Sequence, residues 1–123
     1  MAHERVLVVD DDPSYLERVS AIAVSCGLDP MQASGLGPAT RLLNDETFAL
    51  VITDNHMPSA DQGIELLQFM DRRLATKIPA ILHSSVRPRN LEMVLEVFPW
   101  ARFVLKGDDS GPLRDAIREM LPE

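Results

Sequence analysis

One cysteine, Cys26, stands in 123 residues, so an internal disulfide framework is excluded and the chain suits a reducing compartment. On the apolar side of an expected helix, Cys26 reads as an inert core thiol. Basic residues are scarce: 12 Lys and Arg stand against 19 Asp and Glu. The resulting net charge of −7 lacks the basic footprint that nucleic acid binding requires. It equally disfavours a surface of anionic lipid. No apolar run approaches the roughly 20 residues of a membrane-spanning helix. The opening Met1-Ala2-His3-Glu4-Arg5 leads into a short apolar run ended by acids, unlike a secretory signal. A cytoplasmic location is the expectation. The 46% hydrophobic and 25% charged residues are those expected of a soluble globular protein, not a disordered one. It carries no internal repeat, low-complexity tract or linker, so residues 1–123 are expected to form one domain around one substantial core.

What is present is an alternation of short apolar runs with helical periods. Arg5 to Val9 reads as a strand cut off by Asp10-Asp11-Asp12, after which Pro13 suits a first helical position with Asp12 as its N-cap. Tyr15, Val19, Ile22, Ala23 and Cys26 recur at helical spacing up to the stop at Gly27. Pro30 to Ser34 is a weaker strand near an edge, because proline cannot donate to a ladder. Pro38 to Asn44 is a short helix with Leu42 and Leu43 inward, and Phe48 to Thr53 is the third strand. Leu66, Leu67, Met70 and Leu74 mark the third helix, and Pro79 to His83 the fourth strand. Pro88 opens a helix with Leu91, Val94, Leu95 and Phe98 as its stripe, ended by Pro99. Arg102 to Leu105 is the fifth strand, and Pro112 starts a last helix with Leu113, Ala116, Ile117, Met120 and Leu121 inward. Strand then helix, five times, is an α/β pattern: a parallel sheet with helices on both faces. Right-handed crossovers put every strand's carboxyl end on one rim, where open sheets of this kind bind ligands.

That rim collects chemistry. Asp10, Asp11 and Asp12 follow the first strand, Asp54 the third, Ser84 the fourth and Lys106 the fifth. Carboxylates crowded together repel, and some take up protons unless a cation intervenes. A hard divalent ion resolves this, and Mg²⁺ fits because it uses one or two carboxylates, water and a phosphate. One carboxylate then remains as a nucleophile towards phosphorus. Lys106 is available to neutralise the incoming phosphoryl oxygens, and the Ser84 hydroxyl to donate a hydrogen bond to them.

As a set, Val6-Leu7-Val8-Val9-Asp10-Asp11-Asp12, Val51-Ile52-Thr53-Asp54 with Met57-Pro58, Ile78-Pro79 leading to Ser84-Ser85, and Lys106 resemble the receiver domain of two-component response regulators over essentially the whole chain. The resemblance implies a flavodoxin-like (βα)5 fold with strand order 2-1-3-4-5. It implies that Asp54 is the phosphoacceptor, and that Asp10, Asp11, Asp54 and the main-chain carbonyl of His56 serve Mg²⁺. Ser84 stands at the hydroxyl switch position, Phe103 at the switch aromatic, and Lys106 pairs with the phosphoryl group. The implied donor is a sensor histidine kinase or histidine phosphotransfer protein. The implied receiver of the signal is a downstream protein or fused output domain, reached through the fourth helix, fifth strand and last helix. Such a domain catalyses only its own phosphorylation and dephosphorylation. Ending at Glu123 with no output domain, the sequence is expected to be a stand-alone regulator or a piece of a larger one.

The pattern departs from the family at Gly107, where a proline after a cis bond is usual. A non-proline cis bond costs about 2.5–4 kcal/mol, so a trans bond and a looser loop are expected. The loop Met57 to Gly63 runs one residue long, and a local bulge is expected there. His56 reads as an exposed loop histidine or as a gate on hydrolytic water. Trp100 reads as packing over the fourth helix, the alternative being a partner anchor. His3 and His83 read as structural.

Two rival readings remain. Asp10-Asp11-Asp12-Pro13-Ser14 also resembles the opening motif of haloacid-dehalogenase-type phosphatases, with Asp10 as nucleophile, Asp12 as acid/base and a late acidic stretch from Gly107-Asp108 to Asp115. That reading leaves Asp54 to Pro58 without a role, and its late acids come too soon after Lys106. The other is a receiver-fold interaction module that is never phosphorylated.

Overall fold

The computed structural model describes residues 4–75 and 77–121; His3 lies outside them. Five strands alternate with five helices: β1 Arg5–Val9, α1 Pro13–Ser25, β2 Asp29–Ala33, α2 Leu36–Asp45, β3 Leu50–Thr53, α3 Gln62–Arg73, β4 Ala80–Ser84, α4 Leu91–Val97, β5 Ala101–Leu105 and α5 Gly111–Met120. The strands form one parallel sheet in the order β2-β1-β3-β4-β5.

Side-chain alternation along the strands splits the core into two layers. Leu7, Val9, Val51, Ala80 and Leu82 face one way, against Leu43 of α2, Leu66, Leu67 and Met70 of α3, and Val94 of α4. Val6, Val8, Leu50, Ile52 and Ile81 face the other way, against Leu16, Val19 and Ile22 of α1 and Leu113 and Ile117 of α5. Because β1, β3 and β4 are covered on both faces, their runs contain no polar alternation.

Boundaries move where local chemistry outweighs pattern. β2 begins at Asp29, and Pro30 is accommodated because β2 is an edge strand paired with β1 alone. β3 begins at Leu50; Phe48 leaves the ladder but stays buried, with the Arg5 guanidinium 5.3 Å from its ring centroid. α2 starts at Leu36, since Pro38 then falls in a first turn whose N–H groups lack helical partners anyway. α4 starts only at Leu91, whose amide bonds back to the Pro88 carbonyl at 3.3 Å. α1 is capped as expected: the Asp12 side chain accepts the Ser14 amide at 2.9 Å. Leu16, rather than Tyr15, joins Val19, Ile22 and Ala23 on the buried stripe, and Cys26 is half-buried beside that layer. Trp100 is half-buried and tilts against Phe98 of the α4 C-cap at 5.5 Å between centroids, which is the packing role expected of it. Among the described residues no helix is long and apolar enough to cross a membrane.

Candidate functional site

The ladder between β1 and β3 pairs Val9 with Thr53, so the residues that follow, Asp10 and Asp54, emerge side by side. The Asp54 amide donates to the Val9 carbonyl at 2.9 Å and the Asp10 amide to the Ala33 carbonyl at 3.1 Å, fixing both main chains. On the other side Ser84 pairs with Leu105, and the Lys106 amide donates to the Ser84 carbonyl at 2.8 Å. The four carboxyl ends meet at one open pocket of about 870 Å³, to which Asp10, Asp11, Asp54, His56, Ser84 and Lys106 all contribute.

Asp10 is 3% exposed and Asp54 7%. Lys106 Nζ lies 2.8 Å from Asp10 Oδ2 and 3.3 Å from Asp54 Oδ2, with 6% of its side chain exposed. Asp10 Oδ1 accepts the Asp12 amide at 2.9 Å, and Asp54 Oδ1 accepts the Asn55 amide at 2.8 Å. Asp54 Oδ2 thus faces the ammonium, while Asp11 is exposed at the mouth. Carboxylate oxygens of Asp10, Asp11 and Asp54 lie within 4.8 Å of one another.

Burial would push the Lys106 ammonium down, but the hydrogen bond and charge of Asp10, then the charge of Asp54, hold it above the ordinary lysine value. Asp10 is also pushed up: its burial outweighs the Lys106 and Asp12 contacts, and the Asp54 charge adds to the rise. One lysine therefore does not neutralise the Asp10, Asp11 and Asp54 carboxylates. The oxygen-only donor set and the shortfall of positive charge fit a hard divalent cation.

The loop after β3 is held from beneath. The Asn55 carbonyl accepts the Gly63 amide at 3.1 Å, its Oδ1 accepts the Ile64 amide at 3.1 Å, and its Nδ2 donates to Asp61 Oδ1 at 3.1 Å. Thr53 Oγ1 donates to the Asp54 carbonyl at 2.8 Å. Asp61, just before α3, stands in the left-handed region, φ 66°, which suits its short polar side chain. A Cβ on Gly63 would lie 2.4 Å from the Asp54 carbonyl oxygen and 2.8 Å from Asn55 Cα. Gly63→Ala is therefore expected to displace the Asp54 loop and cost about 1–3 kcal/mol. Urea denaturation measures the loss, and an unchanged midpoint would show the approach is not tight.

Phe103 is half-buried beneath the rim, with the Arg87 guanidinium 5.4 Å from its ring centroid, and does not line the pocket. His56 is exposed beside the pocket. The Lys106–Gly107 bond is trans, as expected; the cis bond among the described residues is Met57–Pro58. Sequence reasoning missed Tyr15, Asn55, Arg87 and Arg89 as pocket-lining residues. Helical spacing alone places Tyr15 in the core; its ring instead lies 4.0 Å from Lys106 Nζ.

His83 is buried, edge-on to Tyr15 at 6.4 Å between centroids. Burial first, then the positive charge of Lys106, lowers it to about 4, although Asp54 opposes. Between the ordinary histidine value near 6.5 and about 4, the unfolded chain takes a proton the native protein refuses. Stability is thus present above that window and lost as pH falls through it, by up to about 3 kcal/mol. Chemical denaturation of wild type and His83→Leu should diverge across this range, with the variant the less acid-sensitive. Parallel slopes would show that His83 is not held neutral.

A sequence profile described as the response regulator receiver domain matches residues 6–119. The two-component response regulator ORR24 of Oryza sativa subsp. japonica is 36% identical over 83 residues, 66% of this chain and 13% of that protein. The response regulator protein PilR of Pseudomonas aeruginosa is 32% identical over 73 residues, 59% of this chain and 16% of PilR. The chain thus spans only a small part of these relatives. Among solved structures, response regulator TrrA of Thermotoga maritima, in complex with Mg²⁺-BeF, has a TM-score of 0.83 at 23% identity, covering 96% of this chain and 99% of that one. Chemotaxis protein CheY4 of Vibrio cholerae has a TM-score of 0.84 at 19% identity, covering 98% and 100%. At such identities these structures speak for the fold.

Proposed function

The chain belongs to the response regulator receiver domain family, and from this we propose that residues 1–123 form one receiver that takes a phosphoryl group on Asp54 and passes the change on as a signal. The observation that carries the reading is Lys106 Nζ shared between Asp10 Oδ2 and Asp54 Oδ2 in a pocket that Asp11 joins. Asp54 Oδ1 is held by the Asn55 amide, so Oδ2 attacks phosphorus. The new O–P bond forms as the P–N bond of a donor phosphohistidine breaks, and the freed imidazole keeps the electron pair and takes up a proton. The donor is a sensor histidine kinase or histidine phosphotransfer protein. Asp10, Asp11, Asp54 and the His56 carbonyl would hold Mg²⁺, which supplies charge neutralisation to the phosphoryl oxygens when bound.

Lys106 pairs with a phosphoryl oxygen, and the Ser84 hydroxyl, which lines the pocket, donates to another. The added charge draws Ser84 inward, and Phe103 fills the space left. This biases α4, β5 and α5 towards a second arrangement that a downstream protein or fused output domain reads. The domain acts on itself alone, in the cytoplasm. The hydrolase alternative is less well supported. Asp12, its acid/base, is occupied capping α1 through the Ser14 amide and hydroxyl, and Lys106 holds Asp10 Oδ2 more closely than Asp54 Oδ2.

Acetyl phosphate provides the test. Intact mass spectrometry should detect a phosphoryl adduct with Mg²⁺ present and none after chelation with EDTA. An adduct that forms equally in EDTA, or none under either condition, would contradict the proposal.

A further inference from the structure

Lys106 is followed by Gly107, the residue type with the most backbone freedom, and by the exposed Asp108 and Asp109. β5 ends at Leu105 and α5 begins at Gly111, so residues 106–110 form an irregular link directly beside the reacting groups. A lysine side chain is itself a flexible stem with a compact charge. Something must hold both the stem and the link.

Besides the carboxylates that meet Nζ, α1 supplies a restraint on each. Arg18 Nη2 donates to the carbonyl oxygens of Gly107 and Asp108, each at 2.7 Å. One turn earlier, the Tyr15 ring centroid lies 4.0 Å from Lys106 Nζ, within range for a cation over an aromatic face. The Arg18 guanidinium carbon is 5.9 Å from the same centroid, and His83 meets the ring edge-on. Three residues apart, Tyr15 and Arg18 share one side of the helix.

We propose that Tyr15 and Arg18 are positioning residues for the Asp54 reaction. Tyr15 backs the Lys106 ammonium against the carboxylates, and Arg18 pins the Gly107–Asp108 main chain that would otherwise let Lys106 swing out. The inference rests on the Asp54 reading above and adds to it a dependence on α1. A pocket that kept its carboxylates but lost either contact would still bind a cation, yet would meet the phosphoryl group with a misplaced lysine.

The test uses the full chain as Arg18→Met, Tyr15→Leu and Tyr15→Phe, each with and without Lys106→Ala. Arg18→Met and Tyr15→Leu are expected to slow Mg²⁺-dependent modification by acetyl phosphate about tenfold. Tyr15→Phe, which keeps the ring, restores the rate. In the Lys106→Ala background neither change slows the reaction further, an epistasis that a merely structural role would not produce. A melting midpoint unchanged from wild type in Arg18→Met shows that the slower rate is not a loss of fold. Wild-type rates in both Arg18→Met and Tyr15→Leu, or equal slowing with and without Lys106, would overturn the inference while leaving the Asp54 reading intact. Absence of modification in the wild type would overturn both.

Discussion

Asp54→Asn is expected to abolish phosphoryl uptake, a loss of at least about 10³-fold, while the fold survives. The amide is close to isosteric, and its oxygen can still accept the Asn55 N–H that Asp54 Oδ1 accepts at 2.8 Å. Lys106 keeps its shorter partner, Asp10 Oδ2 at 2.8 Å. What disappears is the anionic nucleophile. Asp10 is the poorer nucleophile, because Lys106 holds its Oδ2 at 2.8 Å, closer than the 3.3 Å to Asp54 Oδ2. Asp11 is exposed, and among the described residues Lys106 pairs with Asp10 and Asp54 instead. Rate measurement with acetyl phosphate and Mg²⁺ decides the matter: uptake within tenfold of wild type would place the nucleophile elsewhere.

Lys106→Met should have the second-largest effect, and it should appear in two ways. Phosphoryl transfer is expected to slow about 10²- to 10³-fold, the usual consequence of removing one preorganised positive group from developing charge. The metal-free protein should also lose about 3 kcal/mol, because two buried carboxylates lose the one cation that they share. Mg²⁺ should return part of that stability, since an ion among Asp10, Asp11 and Asp54 replaces some of the missing charge. Urea midpoints with EDTA and with Mg²⁺ separate the two effects. A variant as stable as wild type in EDTA would show that the ion pair does not offset the crowding of the acids.

The fold was readable in the sequence because parallel strands buried on both faces leave an unmistakable mark. Val6 to Val9, Leu50 to Ile52 and Ala80 to Leu82 contain no polar residue, and each is followed within a few positions by a group with chemistry to offer. Right-handed crossovers then dictate that Asp10, Asp54, Ser84 and Lys106 share a rim, which is where the structure has them. Less legible were the residues that hold this rim in shape. Asn55 supports the Asp54 loop through four hydrogen bonds involving both its main chain and its side chain. A turn asparagine beside a strand end advertises nothing of the kind. Gly63 resembles any helix-opening glycine until the Asp54 carbonyl is found where its Cβ would be. Tyr15 fits helical spacing almost as well as Leu16, and only the rotation of α1 about its axis decides which one meets the core and which one meets Lys106. Periodicity reports a face and not an angle. Strand and helix ends shifted for a similar reason, since Phe48 is buried without belonging to a ladder and Pro88 opens a turn ahead of the helix.

The most direct test of the acidic pocket as a phosphoryl acceptor is to trap the modified residue. Protein treated with acetyl phosphate and Mg²⁺ is reduced with borohydride, which converts an aspartyl phosphate into homoserine, and the position is read by peptide sequencing in a mass spectrometer. The account predicts homoserine at position 54 and at no other aspartate. Homoserine at position 10, or unmodified aspartate throughout a chain shown to have bound Mg²⁺, would contradict it.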